Sequence, residues 1–257
     1  MSIEQLLSIK GAVVLTCLLL LFIAERLRPA AIRAEQYHDM ARVGRNLSLW
    51  GLNALFSPLL VIPMTALVSE GVAWRFSWLN GWPGILMGIV VLDLWIYGWH
   101  RLNHVIPVFW RFHRVHHLDE WLDVSTSVRF HFGEVIFSAM ARIPIVWIMG
   151  MPLVSVIIFE TLVLMMSGFQ HSNLRLPVRF EQRMSKVFIT PSIHWVHHHV
   201  LRSDTNSNYG TLFSFWDRLF GSRSNSRREL DMAIGLDDSR ETSLIGLLAS
   251  PFGKQRE

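Results

Sequence analysis

Nitrogen donors crowd two short stretches of this chain. The first, HRLNHVIPVFWRFHRVHH at 100–117, holds His100 and His104, then His113, His116 and His117. The second, HWVHHH at 194–199, repeats the His-x2-His-His order with His194, His197 and His198, and adds His199. His171 lies between them. Residues three and four apart on a helix share a face, and neutral imidazole is the commonest metal-ligating side chain. Unconnected interfacial histidines are the bland alternative, and three clusters at helical spacing count against it. A nitrogen-rich, oxygen-poor donor set suits zinc, copper, iron or nickel better than magnesium or calcium. Structural zinc takes about four ligands, so eight or nine donors imply two ions. A pair of iron ions with an open position, able to activate O2, fits best. Heme competes poorly, because axial histidines of membrane cytochromes usually lie within spans and these lie beyond span ends.

The elements that must position these donors are apolar. Of 257 residues, 51% are hydrophobic and 17% charged, against roughly 25% charged in an average soluble domain; mean hydropathy is +0.32. An integral membrane protein is expected, all-α, a polytopic bundle of about four to five apolar helices. The lone Cys17 excludes an intrachain disulfide and a cysteine-based zinc or iron–sulfur site. The net charge of +4 suits orientation and anionic headgroups, and no nucleic-acid motif is present.

Leu6 to Ala24 is apolar apart from Lys10. It reads as a retained first span rather than a cleaved signal, because Glu25-Arg26-Leu27-Arg28-Pro29 carries no small-residue cleavage pattern. A basic linker at 25–45 follows, with His38 alone in it. Asn46 to Ser69 carries no formal charge and is long enough to span, with a kink expected from Pro58 and Pro63. Trp82 to Trp99, with Asp93 its one charge, delivers His100. Val135 to Gln170 is apolar again, broken by Arg142, the Gly150-Met151-Pro152 turn and Glu160, and reads equally as two short helices or a re-entrant hairpin. Glu160 is either a paired intramembrane residue or one near the bundle surface. The basic linker belongs in the cytoplasm by the positive-inside rule, which brings every clustered histidine to a helical cap on the cytoplasmic face.

Taken together, HxxxH, HxxHH and HxxHH on apolar hairpins resemble the fatty acid hydroxylase and sterol desaturase superfamily of membrane non-heme diiron enzymes. WIYGWHRLNH after Asp93, VFWRFHRVHH, VRFHFGE at 128–134, FQHSN, TPSIHWVHH, NYG at 208–210 and FWDRLFG at 215–221 carry the likeness. It covers roughly 85–222, flanked by an N-terminal membrane region at 1–84 and a polar tail at 223–257. The resemblance implies metal ligation by His100, His104, His113, His116, His117, His194, His197 and His198, with His171 a ninth. His199 is expected at the surface or beside the ligands, and His131 as a tuning or interfacial residue. Phe132, Leu118 and Asp123 depart from the family pattern at positions that bear on substrate fit more than on ligation. Asp93, Asp119, Glu120, Glu134, Asp204 and Asp217 are candidates to orient ligands. Asp217 and Arg218 are equally readable as an ion pair, Asn208 and Gly210 as a turn, and Trp216 and Phe220 as packing or site residues. The implied activity is O2-dependent hydroxylation or desaturation of a sterol, fatty acyl chain or related lipid, with electrons from a separate carrier or reductase. A membrane hydrolase using zinc-bound water and a non-enzymatic metal-binding protein are the rivals; a transporter would need more polar groups within the spans than Asp93, Arg142 and Glu160.

Overall fold

The computed structural model describes residues 2–32, 39–237 and 242–253, so His38 lies outside the described residues. Among those described, regular structure is helical, with three isolated β-bridges and no strand. The helices that matter for the site are α1 (Ile3–Leu27), α2 (Met40–Phe56), α3 (Val61–Glu70), α4 (Trp82–Val105), α5 (Pro107–His117), α6 (Phe132–Ile148), α7 (Leu153–His171), α8 (Val178–Met184) and α9 (Pro191–His197). Two short turns of helix follow, α10 (Arg202–Thr205) and α11 (Phe215–Leu219), and then α12 (Leu244–Ala249).

Three helices, α1, α4 and α7, are long and apolar enough to cross a membrane, and a fourth span arises if α2 and α3 count as one. The latter pair bends by 44° across residues 57–60, where Pro58 removes a backbone donor, and Pro63 lies in the first turn of α3. The apolar region from 135 onward resolves into two helices joined by a turn at Gly150, whose φ of +60° favours glycine. Of the two, α7 has the length of a span.

α1 packs along α7, and α7 packs on α4. All three direct their C-terminal ends to the same place: Glu25 and Arg26 end α1, His100 and His104 end α4, and His171 ends α7. There the buried Glu25 carboxylate accepts from the backbone N–H of Val124 at 3.1 Å and of Asn173 at 2.9 Å, which ties the end of α1 to the cap. Residues 25–45 are therefore more than a basic linker. Arg42 lies on α2, 2% exposed, and donates to Asp119 and Asp123, both 0% exposed. Asp119 and Asp123, distant in sequence, draw this linker arginine inside.

Candidate metal centre

The nine histidines come together in two groups. His100, His104, His113, His117 and His197 form one, and His116, His171, His194 and His198 the other; within each, one ring nitrogen per residue lies within 4.8 Å of the rest. The grouping cuts across the sequence boxes for a helical reason. Side chains four apart lie nearly above one another and those three apart swing to the other side. His100/His104 and His113/His117 are spaced i, i+4 and stay together, as do His194/His198. His116 and His197, each three residues into its box, cross to the opposite group.

The protons on these rings are set by their outer partners. Nδ1 of His100 donates to the Tyr209 carbonyl at 2.9 Å, that of His116 to Arg129 at 3.2 Å, that of His171 to Ser167 at 2.7 Å, and that of His197 to Ser207 at 2.6 Å. Nδ1 of His113 donates to Glu134 Oε1 at 2.7 Å. A carbonyl or carboxylate oxygen only accepts, so Nδ1 carries a proton and in a neutral ring Nε2 carries a bare lone pair. Yet the Nε2 atoms of His100 and His197 face each other at 3.1 Å, those of His100 and His113 at 3.2 Å, and those of His116 and His171 at 3.0 Å. Lone pair against lone pair is repulsive unless a cation lies among them. Both ring nitrogens of His117 are also buried without a partner among the described residues, a costly arrangement that an ion would relieve. Burial pushes His116, His117, His194 and His198 well below the usual imidazole range and His197 down to about 3. These rings stay neutral at pH 7, as a metal ligand must. The donor set thus fits a pair of nitrogen-preferring ions.

Main-chain carbonyls do most of the orienting, and sequence reasoning missed them. Of the six proposed acidic partners, Glu134 bonds one of the nine histidines directly. Asp217 acts through the chain: it accepts from the backbone N–H of Tyr209 at 2.8 Å and of Gly210 at 2.9 Å, next to the carbonyl that holds His100. It does not bond Arg218, which instead reaches the Lys186 carbonyl. Asp93 accepts from Leu212 N–H at 2.9 Å, Phe213 N–H at 3.1 Å and Trp216 Nε1 at 2.8 Å, so Trp216 ties the cap to α4. Asn208 has φ +52°, the permissive backbone angle expected of it. Gly210 needs room rather than a special angle, since a Cβ there would lie 2.8 Å from the Phe213 carbonyl and 2.9 Å from Asp217.

The two other clustered or flanking histidines stand apart. His199 Nδ1 donates to Asp204 at 2.8 Å and belongs to neither group. His131 caps α6, its Nδ1 accepting from Gly133 N–H at 3.0 Å while Nε2 donates to the Leu248 carbonyl at 3.2 Å.

A cavity of about 330 Å³ opens beside the histidines. Trp99, His100, His113, Glu134, His171 and His194 line one end, and α1, α3, α6 and α7 supply a mainly apolar wall beyond them.

Comparison with known proteins agrees with this arrangement. The chain is 29% identical over 182 residues to the ornithine lipid hydroxylase OlsE of Rhizobium tropici, covering 69% of this chain and 54% of that protein. It is 28% identical over 153 residues to the alkylglycerol monooxygenase of Danio rerio, covering 57% of this chain and 32% of that protein. It is 24% identical over 168 residues to the cholesterol 25-hydroxylase of Mus musculus, covering 64% and 55%. The chain thus spans from about a third to about half the length of these relatives. No solved structure matches it. The fatty acid hydroxylase profile matches residues 85–222, more than half of the chain and the stretch that carries all nine histidines, and the chain belongs to the fatty acid hydroxylase family.

Proposed function

We propose that this protein is an O2-dependent lipid hydroxylase or desaturase with a histidine-ligated diiron centre on the cytoplasmic face of a multi-pass membrane domain. One observation carries the reading: imidazoles that direct Nδ1 outward to carbonyls and to Glu134 aim their Nε2 atoms at two common points. Two iron ions, when bound, supply the redox chemistry that activates O2 for attack on an unactivated C–H bond. His100, His104, His113, His117 and His197 would hold one, and His116, His171, His194 and His198 the other.

The chain's own groups do the rest. Tyr209, Arg129, Ser167 and Ser207 carbonyls fix ring orientation, and the Glu134 carboxylate strengthens His113 as a donor. The cavity holds a lipid chain against the histidine end and keeps bulk water from it. The relatives named above are hydroxylases and monooxygenases of lipids, which supports a lipid substrate. Electrons come from a separate protein, and residues 85–222 form the catalytic unit between the N-terminal membrane region and the polar tail.

The test is metal analysis with turnover. Purified protein should hold about two irons per chain and consume O2 when given a lipid and a reductant, and His113→Ala should abolish both. Turnover under strict anaerobiosis without a reductant would instead identify a hydrolase.

A further inference from the structure

The cavity has a charged far end that the oxidation chemistry does not use. Lys10 Nζ lies 2.5 Å from Glu160 Oε2, and Arg142 Nη2 lies 2.8 Å from Glu160 Oε1. All three side chains line the same cavity as the histidines. Helix periodicity explains why. On α7, Glu160 precedes His171 by eleven residues, close to three full turns, so both project from one face about 16 Å apart at 1.5 Å per residue. On α6, Glu134, Ser138 and Arg142 follow at i, i+4 and i+8, so Arg142 sits about 12 Å along the face from the carboxylate that holds His113. Val163 and Leu164 on α7 and Val135 on α6 line the stretch between.

The charges do not cancel. Two cations share one carboxylate, each Glu160 oxygen is already taken, and the group retains one positive charge. It sits about seven residues inside both α1 and α7, roughly 10 Å from their ends, where ionised side chains are expensive and generally functional. An arginine offers five N–H donors in a planar fork that matches a carboxylate, and Nη2 of Arg142 is paired with Glu160.

We infer that Lys10 and Arg142 bind the carboxylate of an amphiphilic substrate, whose chain then runs along α6 and α7 and presents a carbon roughly 12–16 Å away to the histidines. The bound carboxylate neutralises the excess charge. The oxidised position is then set by distance from the anionic end. The inference rests on the proposed lipid-oxidising role only in taking this cavity as the substrate chamber.

Binding tests it without metal or oxygen, so failure to load iron would count against the earlier reading alone. Protein in nanodiscs of zwitterionic phosphatidylcholine is titrated with hexadecanoic acid, hexadecan-1-ol and hexadecyl phosphate, in competition with a fluorescent fatty acid. The acid should bind at least tenfold more tightly than the alcohol, and Arg142→Gln or Lys10→Gln should remove most of that preference. Glu160→Gln breaks the same inter-helix ion pairs but leaves both cations, so it should keep or increase the preference. Equal binding of acid and alcohol by the unaltered protein would overturn the assignment, as would tighter binding of the phosphate. Loss of preference in Glu160→Gln equal to that in Arg142→Gln would reduce the group to a structural link and overturn it as well.

Discussion

Replacing Arg42 with alanine should unsettle the metal centre from a distance. Arg42 Nη1 donates to both oxygens of Asp119, at 3.0 and 2.8 Å, and to the Trp121 carbonyl at 3.2 Å, while Nη2 pairs with Asp123. Stripping one partner from a buried ion pair typically costs about 3–5 kcal/mol. Here both carboxylates keep other donors: Asp119 retains Asn46 at 3.0 Å and Thr126 at 2.8 Å, and Asp123 retains Ser125 N–H at 2.8 Å. The expected loss is therefore at the lower end, about 3 kcal/mol, or a fall in melting temperature of roughly 6–12 °C for a chain of this size. Acid should narrow the deficit. Burial pushes the Asp119 carboxyl up, but Arg42, then Arg129, Thr126 and Asn46, outweigh burial and hold it below its ordinary value. That depressed value stabilises the fold above the unfolded carboxyl value of about 3.9 and is lost as pH falls through the folded value. Without Arg42 the folded value rises, so the variant loses less on acidification than the unaltered protein. Thermal melts of the two proteins in one detergent from neutral pH down to about pH 2, through that window, measure this. A shift under 2 °C at neutral pH, or a deficit that widens with acid, would refute the assignment of Arg42 as the counter-charge of Asp119.

Glu134→Gln keeps a hydrogen-bond acceptor for His113 but removes its charge, and should weaken metal retention by about 10–100-fold, read by chelator competition. Gly210→Ala drives a Cβ against the Phe213 carbonyl and Asp217; the Tyr209 carbonyl should shift with it, lowering metal content although no ligand is changed. His199→Ala removes one bond, to Asp204, and should cost about 1 kcal/mol with metal content unchanged; loss of metal there would show that His199 belongs to the centre.

The parts of this protein governed by local rules were legible in its sequence. Hydropathy located α1 and α4, Pro58 and Pro63 announced the bend between α2 and α3, and the histidine spacings located eight of the nine clustered rings, His171 coming from the family resemblance. What escaped reading depends on which distant segments meet. Nothing near Arg42 announces Asp119, and Glu160 discloses neither Lys10 nor Arg142, because these pairs form only when α1, α2, α6 and α7 close on one another. The carbonyls of Arg129, Ser167, Ser207 and Tyr209 were invisible for another reason: every residue carries such an acceptor, and only the folded backbone shows which ones face an imidazole. The division of ligands into five and four was available in principle, since i, i+4 pairs stay together and i+3 partners cross over.

That crossing has a consequence for assembly. His116 comes from the same helix as His113 and His117 but serves the other group, and His197 does likewise opposite His194 and His198. Neither pocket can be completed by a single local segment, and closing one drags the opposite member of each box into place for its neighbour. Uptake of a first ion should therefore raise the affinity for a second, so that during titration half-filled chains stay scarce beside empty and full ones.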